Sequence, residues 1–486
     1  MHKFFLLFFL SLFSMVMTAQ PKYEVRAAWI TTAYALDWPK TRATSTAQTK
    51  KQQEELLQIL DKLQEANFNT VLFQARTRGD VFYKSAIESY SALLTGKVGK
   101  TPGYDPLKFV VEECHKRGME CHAWIVGIPL GNNKQVASLG ARSVTKKSSG
   151  ICVRQRGNWY LNPGNPKTKE YLMELANEIV DNYDIDGIHL DYLRYPENMQ
   201  GFADAKEFKQ YGKGKSITQW RRDNITEIVR HIYKGVKAKK PWVKVSTSPV
   251  GKFRDTTRYP SKNWNAYHTV HQDVQQWLSE GIQDQIYPMM YFRENDFFPF
   301  ALDWQEQSNG RHIIPGLGIY FLHPNDGNWS IDDIERQLRF IRKHQLAGKA
   351  HYRVEFLINN TQGIYDKLAS HYYTTPALQP PMPWLDNVAP TPPTSLTAIR
   401  QEGYVTLSWQ AATDNDVSNT PYYIIYGSDS FPVDTDSPIN IIAQRIKETN
   451  YTYAPLLPWK NYAYYAVSAV DRFGNESEAT QCICGN

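Results

Sequence analysis

Residues 183–196 read YDIDGIHLDYLRYP, and this stretch decides the fold. Asp186-Gly187 turns the chain out of a helix. Ile188, His189 and Leu190 follow as a short extended run with two branched apolar side chains to bury. Asp191 stands where that strand ends, with Tyr192, Arg194 and Tyr195 behind it. An acid at the C-terminal tip of a buried parallel strand is where a (β/α)8 barrel carries its chemistry.

Outward from this point, strand and helix signals alternate eight times. Strands are expected at 25–32 (VRAAWITT), 69–74 (NTVLFQ), 120–126 (ECHAWIV), 187–191, 244–247, 284–291 (DQIYPMMY), 313–319 and 350–356. Pro288 makes the end of the sixth irregular. Helices fall between them. Leu56, Leu57, Leu60 and Leu63 form one stripe of the first, and Asp105-Pro106 opens the second with a cap and a first-turn proline. A long loop is expected over 127–165. The alternation predicts a parallel, closed (β/α)8 TIM barrel over 20–373. The 486 residues leave room for such a barrel and one further module.

That module follows a break in composition. Residues 374–393, TTPALQPPMPWLDNVAPTPP, build neither helix nor central strand and read as a semi-rigid linker. Over 394–486 the apolar period becomes two, in short strands. Trp409 comes early and Tyr462 opens a late strand, a pattern of all-β sandwiches. The runs PTSLTAI, VTLSW, YYIIYG and YYAVSAVDRFGNES resemble the fibronectin type III family. The expected role is a spacer or a rigid partner for the barrel.

Several function classes are excluded. The net charge of +6 is spread along the chain without a basic block, which speaks against nucleic acid. His2-Lys3, the apolar run 4–13 and Ala19 before Gln20 read as a signal peptide over 1–19. The mature protein is therefore expected to be exported, periplasmic or secreted. No later segment approaches the ~20 apolar residues of a membrane span. Cys114, Cys121, Cys152, Cys482 and Cys484 lack zinc spacing, and Cys114 and Cys121 either pair or stand as two buried thiols. HExxH and GxSxG motifs are absent, so no metal or cofactor is expected.

The strand tips offer carboxylates, arginines and aromatics together, the inventory of glycoside hydrolysis. That reaction needs two carboxyl groups about 5–5.5 Å apart for retention or ~6.5–9.5 Å for inversion. One must be protonated and the other ionised. Asp191 is expected to be ionised by the neighbouring Arg194 and to serve as nucleophile or base. Glu294, two strands round the mouth, or Glu355, on the eighth strand, would be the acid. Arg76, Arg78 and Arg194 would bind polar substituents such as carboxylates. Trp38, Trp124 and Tyr291 would stack on sugar rings. Asp80, His189 and Tyr195 complete the expected binding set; a lone strand histidine also reads as a hydrogen-bonded core residue. The expected partner is a polysaccharide or oligosaccharide. The alternative is a carbohydrate-binding protein on the same barrel without catalysis.

The runs VRAAWITTAYALDWP (25–39), NTVLFQARTRGDVFYKS (69–85), GYDPLKFVVEECHKRGMECHAWI (103–125), LNPGNPKTKEY (161–171) and DGIHLDYLRYP (186–196) together resemble the bacterial glycosyl-hydrolase-like ten family. The resemblance implies an exported glycosidase of envelope or environmental glycans, with the glycan strands of peptidoglycan as the first class to test. Chitinases carry DGxDxDxE on the fourth strand. Here His189 and Leu193 replace the middle Asp and the final Glu, so chitinase chemistry is not expected.

Overall fold

The computed structural model describes residues 20–415, 421–455 and 461–485. The signal peptide read over 1–19 lies outside the described residues. Eight parallel strands form the barrel: β1 Val25–Ile30, β2 Thr70–Arg76, β3 Glu120–Val126, β4 Gly187–Asp191, β5 Lys244–Ser248, β6 Gln285–Ile286, β7 in two pieces, His312–Ile313 and Gly316–Leu317, and β8 Gly348–His351. The first piece of β7 pairs with β6, the second with β8, and β8 pairs with β1, which closes the ring. The interruption sits at Pro315, which has no N–H for a ladder. Gly316 follows because a Cβ there would lie 2.9 Å from the Trp29 ring.

Every barrel strand but β7 is buried along its whole length, as both of its faces are covered. One face packs on helices, among them α1 Thr46–Glu65, α2 Pro106–Lys116, α3 Lys167–Asn182, α4 Ile217–Lys239, α5 Val274–Ser279, α6 Phe298–Glu306 and α7 Ile331–Lys343. The other face fills the lumen with Trp29, Leu72, Trp124, Tyr287 and Ala350.

Three expectations change. The sixth strand is two residues long, because Pro288 ends the ladder; only Met289 bridges onward, to Val250 and Gly316. The eighth ends at His351, and Val354–Ile358 is a short helix, α8. Its run VEFLI is apolar enough for either state. The loop over 127–165 folds a sheet of its own, from Pro129–Asn132, Cys152–Gln155 and Asn158–Leu161.

The sandwich has strands β9 Thr394–Gln401, β10 Tyr404–Gln410, β11 Tyr422–Ser428, β12 Ile441–Ile446, β13 Asn450–Tyr453, β14 Tyr464–Val470 and β15 Thr480–Ile483. They form two antiparallel sheets, β9-β10-β13 and β12-β11-β14-β15. Trp409 packs edge-on to Tyr423 at 5.2 Å in the core between them. The fully buried late tyrosine is Tyr465 rather than Tyr462; its hydroxyl accepts the Tyr462 N–H at 3.3 Å.

The sandwich docks under the barrel, at the N-terminal ends of its strands. Asp186, just before β4, accepts from Arg445 at 2.7 Å, from Cys121 N at 2.8 Å and pairs with His115 at 2.9 Å. Burial would raise its carboxyl, but Arg445, His115 and Arg472 outweigh that and hold it well below the ordinary range. Residues 374–393, expected as a semi-rigid linker, lie against the barrel base as a clasp. Leu378 bridges to Tyr23, Gln379 donates to Asn69 O and Thr70 Oγ1, and Trp384 Nε1 donates to Asp284 at 3.0 Å. Cys114 and Cys121 are buried free thiols.

Beneath β1, Glu24 takes Arg26 at 2.9 Å, Arg342 at 2.8 Å and Lys349. Burial alone would raise this carboxyl; Lys349, Arg342 and Arg26 hold it well below its usual range. Removing one partner from such a cluster strands the others in low dielectric. Glu24→Gln is therefore expected to cost roughly 3–5 kcal/mol in urea unfolding. A loss below about 1 kcal/mol would show that the cluster behaves like a surface pair.

Candidate active site

The C-terminal ends of the strands enclose a cleft of ≈ 260 Å³. Trp29, Gln74, Trp124, Asp191 and Ser248 line it from the strands; Tyr34, Arg78, Tyr192, Tyr291 and Tyr352 line it from the loops. Asp191 is the one carboxylate among the described residues that line this cleft. It is 4 % exposed. Its Oδ2 accepts from Trp124 Nε1 at 3.1 Å and its Oδ1 from Tyr192 N at 2.7 Å.

Burial pushes the Asp191 carboxyl above the ordinary range, against the charge of Arg194 and hydrogen bonds from Tyr192 N, Ser248 and Trp124. Burial works against the ionised form that was expected. Arg194 was to hold Asp191 ionised, yet it makes no ion pair with it. Its guanidinium lies over the Tyr192 ring at 4.7 Å and the Trp264 ring at 5.8 Å, and the carboxylate near it is Glu197, at 3.6 Å. A carboxyl group disfavoured as an anion is suited to give a proton rather than to attack.

Two further spaces adjoin the cleft. One of ≈ 410 Å³ shares Arg78, Pro129 and Tyr192 with it, and one of ≈ 180 Å³ shares Tyr34 and Arg78. The three spaces meet at Arg78, and Asp191 lines the ≈ 260 Å³ one.

The model of the family described as glycosyl hydrolase-like 10 matches residues 24–322. The chain belongs to that family. Glycosyl hydrolase YngK of Bacillus subtilis (strain 168) is 34% identical over 493 residues, covering 95% of this chain and 94% of that protein. Glycosyl hydrolase DigH of Escherichia coli (strain K12) is 30% identical over 57% of this chain and 67% of that protein. Among solved structures, the catalytic domain of a β-amylase from Paenibacillus polymyxa aligns over 73% of this chain and 99% of that one, with a TM-score of 0.48 and 11% identity. Glycosidase chemistry, inferred from the strand tips, is thus the class of the glycosyl hydrolase-like 10 family.

Within this family member the expected residues divide. Asp191, Trp124, Arg78 and Tyr291 meet in the cleft, and Arg194 and Tyr195 line the larger neighbouring space. Tyr195 is buried there, its hydroxyl accepting from Asn224. Trp38 is not at the mouth: it packs on Phe73 and Phe82 and donates to Gln52 O at 2.8 Å. Arg76 is fully buried in a bidentate pair with Glu88, both at 2.8 Å, and spends Nη1 on the carbonyls of Val126 and Gly127. Asp80 fixes its own turn through Thr77 Oγ1 and Arg78 N.

His189 lies below Asp191 in the lumen. Its Nε2 accepts from Trp29 Nε1 at 3.2 Å, so the neutral ring donates from Nδ1 to Ser246 Oγ at 2.9 Å. Burial, with His122 nearby, keeps its pKa well below the usual value. It sets the Trp29 indole rather than touching the cleft. Glu294 is exposed on the rim and paired with Arg336 at 2.6 Å. Glu355 is on α8, paired with Arg353, which also binds Asp37.

The sequence reading missed Trp29, Tyr34, Gln74, Ser248 and Tyr352, and did not give Tyr192 a role. Tyr34 and Tyr192 are 61% and 41% exposed and hold φ of 55° and 48°. Such a conformation is a true outlier for a bulky residue and tends to persist where function needs it. Trp29 and Ser248 had a signal: each lies toward the end of a barrel strand.

Trp124→Phe keeps the ring and removes the N–H on Asp191. The Asp191 titration, followed by carboxyl carbon NMR, is expected to move to higher pH. A shift to lower pH would contradict the assigned hydrogen bond.

Proposed function

We propose that this protein is an exported glycoside hydrolase acting on a bacterial envelope or environmental glycan, with the glycan strands of peptidoglycan as its foremost candidate substrate. The observation that carries this reading is Asp191, a buried carboxyl biased toward its protonated form in an aromatic groove. Export follows from the leader-like run 1–19.

The chemistry proceeds from the residues. A sugar ring enters between the tyrosines of the mouth. As the glycosidic C–O bond breaks, Asp191 gives its proton to the leaving oxygen. The Trp124 and Tyr192 N–H groups already face its two oxygens and stabilise the carboxylate that results. Glu355 is assigned the second carboxylate, as nucleophile or base. It pairs with Arg353, the sequence neighbour of the cleft-lining Tyr352. Glu294 faces Arg336 instead and is left out of the chemistry. A single cleft-lining carboxylate also favours a second reading, in which the groove holds glycan without cutting it.

Purified 20–486 is to be incubated with intact peptidoglycan, peptide-free glycan strands, chitin-type oligomers and α-glucans, and the products analysed. Asp191→Asn and Glu355→Gln are expected to lower turnover by ~10²–10⁴-fold, the span of a lost acid or base. Glu294→Gln is expected to leave it nearly unchanged. The wild-type rate should fall on the alkaline side as Asp191 loses its proton, at a pH above the ordinary Asp value of about 3.9. Full activity of Asp191→Asn would remove the assignment; glycan binding by the wild type without product would select the second reading.

A further inference from the structure

Alternation along β4 turns Ile188 and Leu190 toward the helices and His189 and Asp191 into the lumen. The register sets His189 beside Trp124 of β3 and Ser246 of β5. Asp191 is in the layer above, beside Val126 and Ser248. The His189 side chain is fully buried. Tyr287, Trp29 and Trp124 enclose it, with ring centroids at 5.1, 6.0 and 6.4 Å.

The hydrogen bonds of this ring admit one protonation state. An indole nitrogen only donates, so Nε2, 3.2 Å from Trp29 Nε1, is a bare acceptor. Nδ1 then carries the proton and donates to Ser246 Oγ at 2.9 Å. The Ser246 hydroxyl passes its own hydrogen to the Ile188 carbonyl, at 3.5 Å. An imidazolium would set N–H against N–H at Trp29. β1 and β5 bring only the uncharged Trp29 and Ser246 to the ring. The titratable groups around it are His122 of β3, Tyr287 of β6 and Asp191 of its own strand. His122 is turned to Glu120 at 3.0 Å, where Lys244 also binds.

Trp124 links the two layers. Its ring stands edge-on to His189, and its Nε1 reaches up to Asp191 Oδ2 at 3.1 Å. Trp29, held at its Nε1 by His189, lines the cleft beside it.

We propose that His189 is a positioning residue for Asp191: a neutral ring, protonated at Nδ1, that fixes the two indoles beneath the carboxyl and keeps positive charge out of the lumen under it. A cation in that place would favour the Asp191 carboxylate and oppose proton donation. The inference rests on the reading of Asp191 as the acid and adds the group that holds it in that state.

The test is NMR titration of the full chain with isotope-labelled histidine and aspartate, beside glycan turnover. One histidine, missing from the His189→Gln spectrum, should show the Nδ1–H tautomer and stay neutral across the range in which ordinary histidines titrate. His189→Leu removes both hydrogen bonds, whereas His189→Gln keeps an acceptor and a donor in an uncharged side chain. In His189→Leu the Asp191 carboxyl should titrate at higher pH, the direction expected of Trp124→Phe. Its kcat should fall ~10–10²-fold, the scale of a misplaced group, with KM changed less. His189→Gln should return both toward wild type. Trp29→Phe withdraws the same bond from the other side and should move the Asp191 titration the same way, which decides the matter if His189→Leu does not fold. A residue that serves only the fold would lower the Tm of His189→Leu and leave the Asp191 titration in place, and that result would overturn the proposal. So would a His189 ring protonated at Nε2, or a His189→Gln variant no closer to wild type than His189→Leu. If no form of the chain cuts a glycan, the glycosidase reading falls, and the titrations still decide the role of His189.

Discussion

The structure turns on a carboxyl group removed from water at the tip of β4. Asp191 carries no matching cation. Two N–H donors face its oxygens, and burial still raises its pKa. An anion in that place is expensive, which biases the side chain toward its protonated form. Holding such a group in place requires a rigid strand. At its other end β4 is fixed by Asp186, which gathers Arg445, His115 and the Cys121 amide.

The two ends of the barrel carry different charged groups. At the base, carboxylates and cations are matched: Glu24 with three cations, Asp186 with the sandwich, Asp284 with Lys237 and Trp384. At the mouth, Asp191, Arg194 Nη1 and Gln155 Oε1 are left without full partners. The ion-pair clusters at the base hold the fold, and Asp191 lies at the other end of its strand. This division accords with the general placing of stability at one face of such barrels and chemistry at the other. The sandwich belongs to the stable face, which explains why it sits far from the groove.

The barrel was legible because strand and helix periods are local properties. Asp191 was legible for the same reason, since a strand and its end can be read from a few residues. The ends of β6 and β8 were not: Pro288 cut one ladder to two residues, and VEFLI suits either state. Partners distant in sequence were harder still. Arg76 looked like a substrate ligand because Glu88 is reached only through the hairpin that follows β2. Arg194 looked like the cation of Asp191 because Trp264, which turns it away, comes from the loop after β5. Trp38 was taken for a sugar platform, whereas Tyr34, four residues earlier, lines the cleft with a positive φ that composition does not announce. The clasp over 374–393 read as a semi-rigid linker, since its pairing with Tyr23 joins residues more than 350 apart in the chain.

The most direct test is a crystal structure of Asp191→Asn with an uncleaved oligosaccharide. The account predicts sugar rings along the groove between Tyr34 and Tyr192, with a glycosidic oxygen within ~2.6–3.2 Å of the residue 191 side chain. An oligosaccharide seated elsewhere, such as the crevice between α2 and the sandwich, with the groove at Asp191 vacant, would contradict it.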